Sequence, residues 1–476
     1  MKVRTRFAPS PTGPVHLGGL RTALYNYLFA RVNNGEFVLR IEDTDQKRSR
    51  KEYEEEIYEA LGWLGIRPDE SPVKGGFFGP YRQSERAEIY ENYLKKLEQA
   101  GAKLYPCFCT REELEKLKKE QLKTGKRVGY DRRCYFLPEN EVKRRLVSGN
   151  PFSLRLKLPD QKISFKDLLK GTVNVDLRSL SDPVLKRSDG TFTYHLAVVA
   201  DDIEMRISTV IRGEDHLVNT AYQLILYSYL GRKPPEFAHV ALMVDEQGEK
   251  LSKRTVKTGY REIKAKGILP EALISYLLSA GLRKEEIYLS LDDAVKNFHL
   301  ELLPRSKTVY SFEKLLAFNR RVLHNLDAKE IVKRCLKEGA CDNLDLSILE
   351  KLSEWVRIWK ENLETLNDAC QIINIFLCPA LPYQKVDLLM VGDKEMEVLA
   401  FLLETLEQIN GEADLLEKLE KIAEKFSISR GKIFKTLRLV TTGRLNGPPL
   451  FSVVRLLGKE KVQERIRAFL ELRKNV

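Results

Sequence analysis

His16 stands between "FAPSPTGPV" and "LGGLRTALYNYLFAR", where an alternating apolar and basic segment, "VRTRFA", gives way to apolar residues at helical spacing. In His16-Leu17-Gly18-Gly19 the two glycines fall at the expected first turn of that helix. Glycines there let a flat ligand press on the backbone, and a helix N-terminus attracts phosphate. An imidazole just ahead can donate a hydrogen bond to a phosphoryl oxygen as charge develops on it. Taken alone, the tetrapeptide reads more plainly as a turn histidine with no task. Far along the chain, "GEKLSKR" sets Lys250 and Lys253 on either side of Ser252, after a glycine turn. Two ammonium groups so placed can clamp a triphosphate and follow its charge onto a pyrophosphate leaving group. A short basic run is usually a solvated face, so this motif too is weak by itself. The two gain weight together, because the strand and helix pattern assigns both to one sheet domain.

That pattern is the scaffold the chemistry needs. "EFVLRIEDTD" has β character and ends in acids, while "SRKEYEEEIYEALGWLG" and "SERAEIYENYLKKLEQAG" read as helices. The second is opened by Ser84 as a cap and closed by Gly101. Strand and helix in alternation predict a parallel α/β sheet. Between about Pro106 and Lys186 the rhythm changes to a lysine-rich helix, "REELEKLKKEQLKTG", and strand-like pieces such as "FSLRLKL". This predicts an α+β insertion. Asp189-Gly190, between "PVLKRS" and "TFTYHLAVV", carries a two-residue hairpin signal. "ISTVIRGED" followed by "HLVNTAYQLILYSYLG" resumes the first sheet, and after about Thr255 the pattern is helical almost to the end.

The 476 residues exceed one compact core and predict about two to four domains. With 43% apolar residues, disorder is excluded as a description of the whole chain. Lys and Arg number 80 against 68 Asp and Glu, a net charge of +12 that suits an anionic partner such as nucleic acid. Seven scattered cysteines argue against a disulfide framework and for a reducing cytoplasm. "MKVRTRFAPS" lacks the apolar stretch of a signal peptide, and "ALISYLLSAGL" is about half a membrane span. The expectation is a cytoplasmic protein with no membrane partner.

With these motifs in hand, the chain resembles the class I aminoacyl-tRNA synthetases, "HLGG" matching the HIGH signature and "KLSKR" the KMSKS signature. More narrowly it resembles bacterial glutamyl-tRNA synthetases, through "RFAPSPTGPVHLGGLRTALYNYLFAR", "RIEDTD", "GPYRQSER", "SDGTFTYHLAVVADD", "VIRGEDHL" and "KLSKR" in order. The tail "TTGRLNGPPLFSVVRLLGKEKVQERI" extends the likeness to nearly the whole chain, and Gly19 in place of the last HIGH histidine is a familiar variation of the subfamily. The resemblance implies an α/β Rossmann-type catalytic domain, 1–106 with 187–254, and an α+β insertion at 107–186 that grips the tRNA acceptor end. A stem-contact domain, 255–320, and an all-α anticodon-binding domain, 321–476, would follow. It further implies that glutamate is joined to ATP, with Mg2+, through a glutamyl-adenylate and passed to tRNA-Glu by a monomer, and that activation needs bound tRNA. Whether tRNA-Gln is charged as well stays open. A silent tRNA-binding paralogue, a shorter relative that glutamylates a tRNA base, and a glutamine-specific enzyme are the alternatives. The intact motifs, full length and helical C-terminal third disfavour them.

Site residues follow from the resemblance. His16, Lys250 and Lys253 would act on the phosphates, and Gly18, Gly19, Asp215, Met243 and Ser252 would complete the ATP site. Glutamate carries one amino group and two carboxylates, so its pocket needs an acid and arginine. Arg6, Ser10, Glu42, Tyr194 and Arg212 supply these, with Glu42 taking the amino group and Arg212 the side-chain carboxylate. His195 and His216 are left as structural histidines. Cys107, Cys109 and Cys134 lie where some relatives bind zinc, but the expected histidine is Phe136; Tyr130 is a substitute ligand, and zinc is the less favoured reading. In the last domain Arg430, Lys432, Lys435, Arg438 and Arg444 form a candidate tRNA face, whereas Trp355 and Trp359, one turn apart, read as core.

Overall fold

The computed structural model describes residues 2–249, 251, 259–280, 285–338, 345–378, 381–408 and 411–474. The chain divides into two units, Met1–Ile263 with Ile274–Phe312, and Lys264–Leu273 with Glu313–Val476.

In the first unit, β1 (Arg4–Phe7) leads through an extended loop to α1 (Leu17–Val32) and back to β2 (Glu36–Leu39), which pairs in parallel with β1. Every residue of β1 is buried, its basic positions included. Arg4 reaches Glu70 at 2.9 Å and Glu36, and Arg6 lies 3.4 Å from Asp202, so the apolar and basic alternation does not mark a solvent face. Buried arginines survive in a central strand because each has an acid to meet.

Helix α2 (Lys51–Trp63) follows as expected, and α3 (Ala87–Gln99) starts later than "SERAEIY" suggests. Ser84 is not its cap. The Ser84 N–H and hydroxyl both donate to Asp43, at 2.8 and 2.5 Å, within a short 3-10 turn, and Arg86 occupies the cap position. A serine hydroxyl can accept a helix N–H or donate to an acceptor, and here it donates to a carboxylate from another loop.

The insertion holds β3 (Leu104–Cys107), α4 (Arg111–Lys123), α5 (Glu139–Val147) and β4 (Ser153–Leu156). β3, β4 and β7 (Val184–Lys186) form an antiparallel sheet. Between them β5 (Lys162–Asp167) and β6 (Gly171–Asp176) make a hairpin. The hairpin leaves its neighbours and joins the central sheet, with Asp167 opposite Phe237 of β9 (Glu236–Val240). β9 in turn runs parallel to β8 (Thr209–Gly213), giving the order β6-β5-β9-β8. The β1 layer meets β8 where the Ser208 N–H donates to the Arg4 carbonyl at 2.9 Å.

Asp189-Gly190 does sit in a tight turn, closed by the Arg187 N–H to the Thr191 carbonyl at 2.8 Å. Its second arm is a single bridge at Phe192 before α6 (Tyr194–Glu204) begins. Helix α7 (Leu217–Tyr229) packs beside α6 over a core that includes Leu196, Val199, Ala221 and Leu226. Two further strands, β10 (Met243–Val244) and β11 (Thr308–Val309), pair in parallel, the second inside what reads as a helical region.

The second unit is helical among its described residues, from Phe312–Asn325 to Lys459–Lys474. Trp355 and Trp359 are buried in it, 5.9 Å apart, and the Trp355 indole donates to the Ile372 carbonyl. Arg465 is also fully buried. It donates to the carbonyls of Thr441, Ile375 and Cys378, at the C-terminal ends of helices Arg430–Thr442 and Leu366–Leu377, where helix dipoles favour a cation. Against the expected all-thiol chain, Cys335 and Cys370 are joined as a disulfide between helices Ala328–Glu338 and Leu366–Leu377. Their separation of 35 residues puts such a pairing beyond any local pattern. No described helix is long and apolar enough to cross a membrane.

Candidate active site

His16 caps α1. Its Nδ1 accepts the Gly19 N–H at 3.3 Å, so in the neutral ring the proton sits on Nε2 as a donor. Gly18 permits this ring position: a Cβ there would lie 3.1 Å from the imidazole Cε1 and Nδ1. The chain returns to this corner twice. The Leu251 N–H donates to the Met243 carbonyl at 3.2 Å, and Gly259 bridges His16 while the Tyr260 N–H donates to the Val15 carbonyl at 2.9 Å. Lys250, Ser252 and Lys253 lie outside the described residues.

A cleft of about 210 Å³ opens between these segments. It gathers Arg6 from β1, the His16, Gly18 and Gly19 corner, Glu42 after β2 and Tyr194 at the start of α6. Arg212 of β8, Asp215, Met243 of β10 and Leu251 complete it. Of the expected glutamate and ATP positions that are described, only Ser10 is not brought to the cleft; it is exposed on the loop beyond β1. His216 lines the cleft, with its Nδ1 3.0 Å from the Asn219 amide, and His195 does not. His195 packs 4.8 Å from Tyr222, and burial with the Arg212 charge holds it down at about 4, so it stays neutral.

The cleft floor is charged and mostly satisfied from below. Arg40, fully buried, reaches Asp202 at 2.7 Å and Glu42 at 3.2 Å, and lies 3.6 Å from Asp201. Asp201 also accepts from Arg86, Gln83 and Tyr90. Burial raises the Glu42 pKa above the usual carboxylate value despite the nearby Arg40 and Arg6. An arriving ammonium would relieve that cost, the behaviour expected of an amino-group receptor. Arg212 is different from Arg6 and Arg40. Among the described residues no carboxylate lies within salt-bridge distance of it, and its partners are the neutral groups of Tyr194, Thr220, Gln223 and His239. Burial lowers its pKa, and its positive charge stays unneutralised beside the cleft, as a carboxylate receptor requires.

Sequence reasoning missed Arg21, Arg40, Asp167, Asp201, Asp202 and His239. Arg21 lines the cleft and donates to the Ala241 carbonyl and the Thr308 hydroxyl. An available signal was a histidine inside the apolar strand "EFAHVAL", a residue that must find partners if buried.

In the insertion, the Cys107, Cys109 and Cys134 sulfurs lie within 4.8 Å of one another. The Tyr130 hydroxyl is 3.3 Å from the Cys107 sulfur, and Phe136 is exposed. The Cys134 thiol, with help from Tyr130 and Arg155, pulls Cys107 down to about 4, into thiolate range. In the helical unit Arg430, Lys432 and Lys435 are exposed on helix Arg430–Thr442. Arg430 pairs with Glu420 at 2.5 Å and Lys432 with Glu395. Arg438 donates to the Pro448 carbonyl, and Arg444 to Gln371 while lying over the Trp359 ring.

Comparison with known proteins accounts for both units. Residues 2–317 match the family "tRNA synthetases class I (E and Q), catalytic domain", and residues 312–470 match "Anticodon binding domain". The chain is 37% identical to the glutamate–tRNA ligase of Carboxydothermus hydrogenoformans, covering 98% of this chain and 99% of that one. It is 38% identical to the glutamate–tRNA ligase of Aquifex aeolicus, covering 99% of both. The crystal structure of a glutamate tRNA ligase from Elizabethkingia meningosepticum, in complex with its amino acid, superposes with a TM-score of 0.81 at 35% identity, covering 99% of each chain. With both units matched and relatives of this kind covering nearly the whole chain, the chain belongs to the glutamate–tRNA ligase family of class I tRNA synthetases.

Proposed function

We propose that the chain ligates L-glutamate to tRNA-Glu through a glutamyl-adenylate, consuming ATP as its Mg2+ complex and releasing AMP and pyrophosphate. The observation that carries this reading is the single cleft in which His16, Gly18 and Gly19 meet Glu42, Tyr194 and Arg212. Glu42 takes the amino group, Arg212 the side-chain carboxylate, and Arg6 the carboxylate that attacks the α-phosphorus. That attack needs the nucleophile held near the phosphorus while charge builds on the phosphoryl oxygens. The His16 Nε2–H and the first N–H groups of α1 meet that charge, and Gly18 and Gly19 keep the backbone approachable. Asp215 and the Met243 backbone hold the nucleoside, while Lys250, Ser252 and Lys253 escort the pyrophosphate. A ribose hydroxyl of the tRNA's terminal adenosine then attacks the activated carbonyl, and AMP leaves.

We take the enzyme to work as a monomer in the cytoplasm. We assign 107–186 to the acceptor end, 255–320 to the stem and 321–476 to the anticodon, with Arg430, Lys432, Lys435 and Arg444 on the tRNA face. Charging of purified tRNA-Glu with labelled glutamate tests the reading, and absence of glutamyl-tRNA with any tRNA would refute it. The same assay on tRNA-Gln reads whether that tRNA is a second substrate.

The convergence of the Cys107, Cys109 and Cys134 sulfurs, with the Tyr130 hydroxyl beside Cys107 as a fourth donor, also supports a structural zinc site. Chain purified without chelator is expected to carry about one zinc. Less than about 0.2 equivalents would reject the site.

A further inference from the structure

His239 belongs to none of the sequence motifs, yet it is fully buried directly behind Arg212. The two face each other across the paired strands β8 and β9, where Arg212 registers with His239. A guanidinium has five N–H donors. Arg212 spends Nε on the His239 Nε2 at 3.2 Å and one Nη1 hydrogen on the Tyr194 hydroxyl at 3.2 Å. It spends Nη2 on the Thr220 hydroxyl at 2.7 Å and the Gln223 carbonyl at 2.9 Å. One Nη1 hydrogen is left for a ligand, in the part of the fork nearest Tyr194.

The Nε bond constrains the imidazole. For Nε2 to accept from Arg212, the ring must be neutral with its proton on Nδ1. Nδ1 lies 2.6 Å from the Asp167 carboxylate, which is itself buried and accepts the N–H groups of Leu169, Lys170 and His239. Although burial alone would raise it, these hydrogen bonds, His239 first, hold Asp167 below its usual value and therefore ionised. Burial also lowers His239, which keeps the ring neutral at working pH. The Thr220 hydroxyl, 3.0 Å from the same Nε2, closes the group.

We propose that His239, locked in the Nδ1–H form by Asp167, is a positioning residue that aims the Arg212 guanidinium at the amino acid's side-chain carboxylate. The arrangement answers a specific difficulty. An acid bonded directly to Arg212 would fix its geometry but neutralise the charge the ligand needs, as Asp202 does for Arg40. Setting the acid one imidazole away fixes the fork and leaves the charge in place. Asp167 comes from the β5 strand of the insertion, so the amino-acid pocket is built partly by a segment that otherwise stands apart from it.

The proposal rests on the glutamate-activating reading, and the test separates the two. In the full chain, Asp167→Asn keeps the shape of the acid but lets an amide donate to Nδ1, moving the ring proton to Nε2 and turning it against Arg212. The KM for glutamate is expected to rise on the order of tenfold or more, with the KM for ATP within about twofold. In an Arg212→Met background the same substitution should add less than about twofold, because the group it positions is gone. Nitrogen-15 spectra of the wild-type chain should show neutral His239 with its proton on Nδ1, a readout that needs neither activity nor a stable variant. A ring protonated on Nε2 would overturn the proposal. So would equal rises in both KM values, or an undiminished effect in the Arg212→Met background. If wild-type chain charges no tRNA, the functional reading falls, and the spectrum still decides the tautomer.

Discussion

Replacing Arg212 by methionine isolates the charge that the account assigns to substrate recognition. Methionine retains much of the side-chain length and apolar bulk, but removes all five N–H donors. The site is 5% exposed, and no described carboxylate pairs with Arg212, so a ligand carboxylate would be its first full counter-charge. Two unit charges about 4 Å apart at an effective dielectric of about 20 interact by about 4 kcal/mol. Part of that gain is offset by desolvating the carboxylate, leaving about 3 kcal/mol. At 1.36 kcal/mol per decade, kcat/KM for glutamate should fall on the order of 100-fold or more. The KM for ATP should hardly move. Arg212→Lys should recover little, because a point ammonium cannot serve four fixed acceptors and a ligand at once. Glutamate-dependent pyrophosphate exchange in the presence of tRNA measures both constants. A loss under about threefold in kcat/KM for glutamate would refute the assignment of the carboxylate to Arg212.

Two other perturbations follow from the same structure. The raised pKa of Glu42 means that it holds a proton more tightly folded than unfolded, so its ionisation weakens the fold as pH rises through that value. Glu42→Gln should therefore cost no thermal stability at neutral pH while raising the KM for glutamate steeply. In wild type that KM should climb as pH falls through the raised Glu42 value, and in the variant it should stay flat; a parallel climb in both would exclude Glu42 as the amino-group receptor. Arg465→Met removes the donor to the buried Thr441 carbonyl and to the less buried Ile375 and Cys378 carbonyls at two helix ends, and should destabilise the helical unit by about 1–3 kcal/mol, read by chemical denaturation. A change below about 0.5 kcal/mol would show that water or a shifted backbone replaces those bonds.

Local chemistry was legible from the sequence, and long-range pairing was not. The strand, turn and helix around His16 follow from alternating residues, a loop with prolines and helical spacing, all within one short stretch. Glu42, Tyr194 and Arg212 could be named from motifs and do line one cleft. The β5–β6 hairpin could not be assigned to the central sheet, because Asp167 and Phe237 meet only through tertiary contact. β10 and β11 are two residues each, too short for any period to register. The partners behind Arg212 come from three separate elements, β5, β9 and α7, which explains why Asp167 carried no local mark and His239 only that of a histidine in an apolar strand. Ser84 shows the converse failure, a correct local preference overridden by Asp43 from a distant loop.

A crystal structure of the full chain with a non-hydrolysable glutamyl-adenylate analogue tests the central claim most directly. The account predicts adenosine against Gly18 and Gly19, the phosphate-mimicking group at the His16 Nε2, the amino group on Glu42 and the side-chain carboxylate on Arg212. An analogue bound with its amino-acid end away from Glu42 and Arg212, or outside this cleft, would contradict it.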